Sequence, residues 1–346
     1  MKLKSGMRGA GLVFAFGVLM IGSEAAQAPA GEATSAAGVW PLWAYPVTAV
    51  VPLVTDAGSD DAPLEHVSGS TAGYTKTQIA DLFVVPDWFP DSHPAMPRVV
   101  AVGRSPVVFA CGHCHLPNGL GRPENESVAG LPADYIAQQV ADFKNDLRRS
   151  SEPRMAPANK MIQVAKAANA EEVEAAAKYF SSLKPQKWIR VVETGRVPVT
   201  QPDGTMLVAD RKGATEAIGE RVIEVAEDFE QTELRNPASG FVAYVPVGSL
   251  KEGKTLVRTG GHRRIMACTV CHGQNLRGQH LQGMGTVPSI RGRSPSQMAR
   301  QLIDFRSGAR HGTNSALMRM LAPRLTNADI VAITAYLASL DPESDH

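Results

Sequence analysis

Two short strings in the 346-residue chain set thiols and an imidazole at fixed spacing: Cys111-Gly-His-Cys-His115 and Cys268-Thr-Val-Cys-His272. Both read Cys-x-x-Cys-His, the attachment signature of c-type haem. Two thiols three positions apart can form thioethers to the two vinyl groups of one porphyrin. The adjacent histidine then lies beneath the iron and supplies an axial nitrogen. With 4 cysteines and 9 histidines in the chain, composition gives a single chance match a probability of about 10⁻³. Two matches that use every cysteine are far rarer. Other chemistries fit less well. Structural zinc sites pair Cys-x-x-Cys motifs about 12–20 residues apart, whereas these begin 157 residues apart. Two redox disulfides leave the histidine after each pair unexplained. The reading is two haem c groups covalently attached at Cys111, Cys114, Cys268 and Cys271, with His115 and His272 on the irons.

The elements that position these strings occur twice. At the same shift of 157, Asn169-Ala-Glu-Glu172 matches Thr326-Asn-Ala-Asp329, and both read as capping-box helix starts. The helices they open end in Tyr179-Phe-Ser-Ser-Leu183 and Tyr336-Leu-Ala-Ser-Leu340. Apolar residues recur along them at helical spacing: Val173, Ala177, Phe180 and Leu183 in one, Ile330, Ile333, Leu337 and Leu340 in the other. A second matched helix carries Gln139-Val-Ala-Asp-Phe-Lys144 and Gln301-Leu-Ile-Asp-Phe-Arg306, now shifted by 162. A loop five residues longer after the second string accounts for the change. The pattern is a tandem duplication.

A methionine thioether is the usual partner of histidine in electron-carrying cytochromes, where it raises the reduction potential. Among twelve methionines, Met161 and Met318 form the pair that coincides under the repeat. They are the expected ligands, with Met155 and Met320 as runners-up.

Each half resembles a class I c-type cytochrome, and the pair resembles the soluble di-haem cytochromes that arose by duplication. The likeness covers roughly residues 95–185 and 250–342. It rests on glycines after the string (Gly119 and Gly121, Gly273 and Gly278), a helix with Gln and Phe, the methionine and a C-terminal Tyr helix. The second half also has the P-x-[LI]-x-G segment Pro288-Ser-Ile-Arg-Gly292, whereas the first reads Glu126-Ser-Val-Ala-Gly130. The resemblance implies that the carbonyl of Pro288 accepts a hydrogen bond from His272, a contact that orients the imidazole. It places Glu126 where the first half would have that proline.

Other residues read more plainly. His113, inside the first string, is expected to be an exposed side chain. His262, His280 and His311 lie in polar stretches and read as surface residues. Arg148 aligns with Arg310 and Lys144 with Arg306. Either pair suits haem propionates or a solvated helix end.

Residues 186–249 read as short strands, Trp188–Val192, Arg221–Val225 and Phe241–Val245, separated by turn formers such as Gln201-Pro-Asp-Gly204. Residues 29–94, with their prolines and the acidic run Asp56–Asp61, read as an irregular extension. Residues 1–28 have a basic start (Lys2, Lys4, Arg8), an apolar stretch from Gly9 to Ile21 and Ala26-Gln-Ala28, the layout of a cleaved secretory signal. That apolar stretch falls short of the roughly 20 residues a spanning helix needs. The expected fold is mainly α: cytochrome c domains at 95–185 and 250–342, a small β-rich connection at 186–249 and the N-terminal extension.

Composition excludes little else. The chain is 44% hydrophobic and 20% charged, with 35 basic and 34 acidic residues. No charge excess points to nucleic acid, and no transmembrane span is expected in the mature chain. The resemblance implies a periplasmic carrier of single electrons between redox protein partners such as a dehydrogenase or terminal oxidase, and not an enzyme. The alternatives are the electron-transfer subunit of a periplasmic dehydrogenase complex and, less favoured, a di-haem peroxidase.

Overall fold

A computed structural model describes residues 40–48 and 62–343. The predicted signal at 1–28 and the acidic run Asp56–Asp61 lie outside the described residues. No helix among the described residues is long and apolar enough to cross a membrane.

The repeat is visible as two sets of helices. In the first half the string forms the turn Cys111–His115, followed by helices Ala133–Lys144, Ala156–Ala167 and Ala170–Ser182. In the second, Thr269–His272 is followed by Pro295–Ser307, Ala316–Leu321 and Asn327–Ser339. Both expected capping boxes form. Asn169 accepts from the Glu172 N–H while the Glu172 carboxylate accepts from the Asn169 N–H, and Thr326 and Asp329 do the same. Each box satisfies two of the backbone donors that a helix start leaves unpaired.

The halves differ in what precedes the string. The second has the 15-residue helix Ser249–Arg263, which crosses Asn327–Ser339 so closely that a Cβ at Gly253 would lie 2.0 Å from the Ala332 carbonyl oxygen. In the first, the short turn Arg98–Ala101 stands before the string. The longer loop of the second half is the antiparallel hairpin Gly278–Leu281 with Gly285–Pro288.

The three strands expected in the connecting segment pair as one sheet. Ile189–Glu193 runs parallel to Phe241–Val245, which pairs antiparallel with Ile223–Ala226. The Gln201–Gly204 stretch closes a hairpin between Thr200–Asp203 and Met206–Ala209, with Gly204 at φ +57° as such a turn demands. Nine strands among the described residues mean that helices share the fold with more sheet than "mainly α" conveys. Glu224 fastens this segment to the second half: its buried carboxylate accepts from the Ser294 and Ser296 hydroxyls at 2.7 and 2.5 Å.

The extension is irregular in backbone but not peripheral. Tyr45 is fully buried and donates its hydroxyl to Asp304 at 2.8 Å, and Arg300 donates to the Ala44 carbonyl at 2.8 Å. Trp88 is also buried and donates to the Leu234 carbonyl. These residues join the core because burying a Trp or Tyr body is strongly favourable once its polar tip finds a partner.

Candidate haem sites

In the second half the turn Thr269–His272 sets Cys268, Cys271 and His272 on the wall of a cavity of about 510 Å³, within the range of cofactor pockets. His272 is buried, and its Nδ1 donates to the Pro288 carbonyl at 2.9 Å. That bond leaves Nε2 as the nitrogen available to a metal. Burial lowers the imidazole's pKa, favouring the neutral form that ligates. Met318 lines the same cavity. Met320 is 71% exposed and is not part of the lining.

The first half repeats the arrangement. Cys111, Cys114 and His115 border a cavity of about 190 Å³, and His115 also borders an adjoining one of about 120 Å³. His115 Nδ1 donates to the Glu126 carbonyl at 2.8 Å. The bond that the resemblance assigns to proline is thus made by the backbone at the same position, with no need for the proline ring. Met161 lines both cavities, and Met155 lines the second alone. All four cysteines are free thiols. Burial pushes the Cys111 thiol up to about 12 and Cys268 up to about 11. Among the described residues no three His, Cys, Asp or Glu side chains converge as a metal cage, so the zinc alternative finds no support. The residues present fit haem: a thiol pair, an oriented imidazole and a thioether share one lining, twice.

Two readings of single residues are corrected. His113 is fully buried, not exposed. Neither ring nitrogen meets hydrogen-bond geometry, and burial with the nearby Arg235 charge lowers its pKa to about 3. Arg148 and Arg310 do not cap solvated helix ends. Both are buried where the halves meet, their backbones forming an antiparallel bridge. Arg148 donates to Gln139 at 3.1 Å and to Gln301 at 2.9 Å; Arg310 donates to Gln301 at 2.8 Å and to Gln139 at 2.8 Å. Each guanidinium also lies over its own half's phenylalanine, Phe143 or Phe305, at 4.7 and 4.4 Å. Glu126 breaks the symmetry by accepting from Arg148 at 2.5 Å. Burial opposes its charge, but Arg148, Arg310 and Arg293 override this and hold the carboxyl at about 2. Glu126, Gln139 and Gln301 line the cavities of both halves. His280 and His311 are exposed, as expected; the side chain of His262 lies outside the described residues.

Arg235, from the connecting segment, carries no local signal that marks it as a site residue. It lines the first cavity and donates to the carbonyls of His113 at 2.8 Å and Ile79 at 3.2 Å.

Fold and site together define a haem protein of the c type. The cytochrome c sequence family matches residues 250–341. The chain is 35% identical over 80 residues to cytochrome c-554(548) of Halomonas halodenitrificans, a match covering 23% of this chain and 90% of that one. It is 34% identical over 141 residues to cytochrome c4 of Azotobacter vinelandii, covering 38% of this chain and 66% of that one. It is 27% identical over 237 residues to a thiosulfate dehydrogenase electron acceptor of Thiomonas intermedia, covering 68% and 80%. The matches span just under two thirds of the length of the cytochromes c4. The chain belongs to the class I c-type cytochromes, alongside their duplicated di-haem members.

Proposed function

We propose that the chain is a periplasmic di-haem carrier of single electrons, exported by a signal at residues 1–28, with haem units at 95–185 and 250–342. The observation that carries this reading is the repeated lining: a cysteine pair, a histidine whose Nδ1 is tied to a backbone carbonyl, and a methionine, at both cavities. Bound haem supplies the one-electron Fe(III)/Fe(II) couple. Cys111 and Cys114, and Cys268 and Cys271, tether it. His115 with Met161, and His272 with Met318, would supply the protein ligands to its iron. The carbonyls of Glu126 and Pro288 fix the imidazoles, so little rearranges when charge changes. The apolar walls, among them Val128, Ile136 and Phe180 in one unit and Leu302, Ile333 and Leu337 in the other, exclude water and favour the less charged iron.

A second reading, the electron-accepting subunit of a dehydrogenase complex, is favoured by the long match to the Thiomonas protein and by the connecting segment, which offers surface beyond the haem units. Neither reading makes the chain itself an enzyme. Haem that resists acidic organic extraction, with two one-electron waves and low-spin His/Met spectra in both oxidation states, is the expected result. A high-spin component with peroxide turnover would replace the carrier reading by the peroxidase one.

A further inference from the structure

The two haem strings are built alike and covered differently. His113 and Val270 occupy the same position between the two cysteines; His113 is 0% exposed and Val270 is 58% exposed. These positions lie between the two cysteines that would carry the thioethers, at what would be the haem's attachment edge. In the first unit that edge is shut from two sides. Val85 and Val100 close on Gly112, leaving 3.0 Å for a Cβ there, and Arg235 of the connecting segment ties down the His113 carbonyl. Asn118 and Arg122, just beyond the string, donate to the carbonyls of Pro237 and Thr232 in the same segment.

At the second edge Gln279 of the hairpin ties down the Val270 carbonyl at 3.1 Å, but the Val270 side chain itself stays exposed. Met266, Val270, Met284, Leu317 and Met320 form half of the large apolar side chains the described residues expose, and three of them line the second cavity. The charge around them is one-sided. From Lys254 to Arg324 there are twelve Lys and Arg residues, of which Arg291, Arg293, Arg300 and Arg310 are buried, and a single acid, Asp304, also buried. Arg319 and Arg324, flanking Met320, are exposed and have no acidic partner among the described residues. The acids that reach the second cavity from the other half are occupied: Glu126 accepts from Arg148, Asp134 from Thr286, and buried Asp142 from Gln138 and Thr313. The near-neutral total conceals a separation, because residues 29–94 hold eight acids and one lysine.

We infer that electrons enter and leave through the second haem edge, where an apolar patch bordered by Arg319 and Arg324 docks the acidic surface of a redox protein, while the connecting segment seals the first. The proposal rests on the carrier reading and adds which unit meets the partner and what that partner's surface is. A small apolar contact with a charged rim suits a transient electron-transfer interface, and charge of opposite sign raises the encounter rate.

The test uses the complete holo-protein, with plant plastocyanin as an acidic one-electron probe and ferrocene methanol as a small uncharged one. Arg319→Glu with Arg324→Glu should slow exchange with plastocyanin by about tenfold or more at low salt, the loss shrinking above roughly 0.15 M salt. Exchange with ferrocene methanol and both midpoint potentials should hold. Val270→Glu should act in the same direction. Arg211→Glu with Lys212→Glu makes the same charge change on the connecting segment and should leave the rate unchanged. Equal loss from that control, or none from the arginine pair, overturns the proposal. So does a dimer that dissociates in the arginine variant, since a second copy would then occupy the face. A severalfold gain on neutralising Asp56, Asp60 and Asp61 would put the chain's own acidic run there and overturn it too. If ferrocene methanol exchanges electrons but plastocyanin does not, the docking surface is wrong and the carrier reading stands. If neither does, the carrier reading fails first.

Discussion

Replacing Arg148 by methionine keeps much of the side chain's length but removes the charge against which Glu126 is buried. The arginine is 5% exposed and makes three side-chain hydrogen bonds, to Gln139, Gln301 and Glu126. Breaking a buried ion pair from one side typically costs about 3–5 kcal/mol, because the remaining charge stays desolvated. Arg310 and Arg293 still face Glu126, which puts the expected cost near the lower end, about 3 kcal/mol. Removing both charges tells a different story. Arg148→Met with Glu126→Gln removes the pair as a unit while Arg310 and Arg293 keep their hydrogen bonds to Gln139, Gln301, Tyr135 and the Ser289 carbonyl, and buried pairs replaced by neutral groups are often close to neutral in stability. The double variant should therefore lie within about 1 kcal/mol of the parent. Guanidinium unfolding followed by circular dichroism and haem absorbance gives both numbers in a double-mutant cycle. A single variant costing under about 1 kcal/mol, or a double variant as unstable as the single, would refute the view that charge pairing holds the seam.

Three further outcomes are expected. Met161→His and Met318→His should each lower one midpoint potential, on the order of 0.1 V or more, within the roughly 0.8 V that axial ligands command; two unmoved potentials in a spectroscopic titration would remove both methionines from the iron. Gly253→Ala should destabilise by about 1–3 kcal/mol or more, as an overpacked crossing does, because the added methyl meets the Ala332 carbonyl oxygen at 2.0 Å; thermal melts check it. Asp329→Asn should cost about 1 kcal/mol at neutral pH. The Arg264 guanidinium beside Asp329 holds its carboxyl below the usual carboxylate range. A depressed folded-state value means the contribution is full above about pH 4 and fades as pH falls through the folded value. The two unfolding curves should therefore converge in acid.

Local signals were legible where function is written in short strings. The two haem motifs, the helix starts at Asn169 and Thr326 and the three paired strands of the connecting segment all depend on neighbours a few residues away. What escaped depends on distance. His113 reads as exposed because the two positions between the cysteines tolerate many residues, yet Arg235, 122 residues later, and the valines before the string enclose it. Arg148 and Arg310 aligned in the repeat, but no spacing along one chain shows that each would bond the other half's glutamine. Residues 40–45 carry no helical or strand period, and the partners of Ala44 and Tyr45, Arg300 and Asp304, lie more than 250 positions away.

The seam between the halves has the form of an isologous contact. Gln139 corresponds to Gln301 and Arg148 to Arg310, and each arginine bonds both glutamines. Residue i touches j while j's counterpart touches i's, the signature of a two-fold homodimer, here folded into one polypeptide. Such a surface is self-complementary, so a lone unit carrying it would pair with its twin. Fusion into one chain removed the concentration dependence of that pairing and freed each copy to diverge. Glu126 opposite Pro288 and a sealed edge opposite an open one are differences that a true homodimer, bound to identical sequences, could never have acquired.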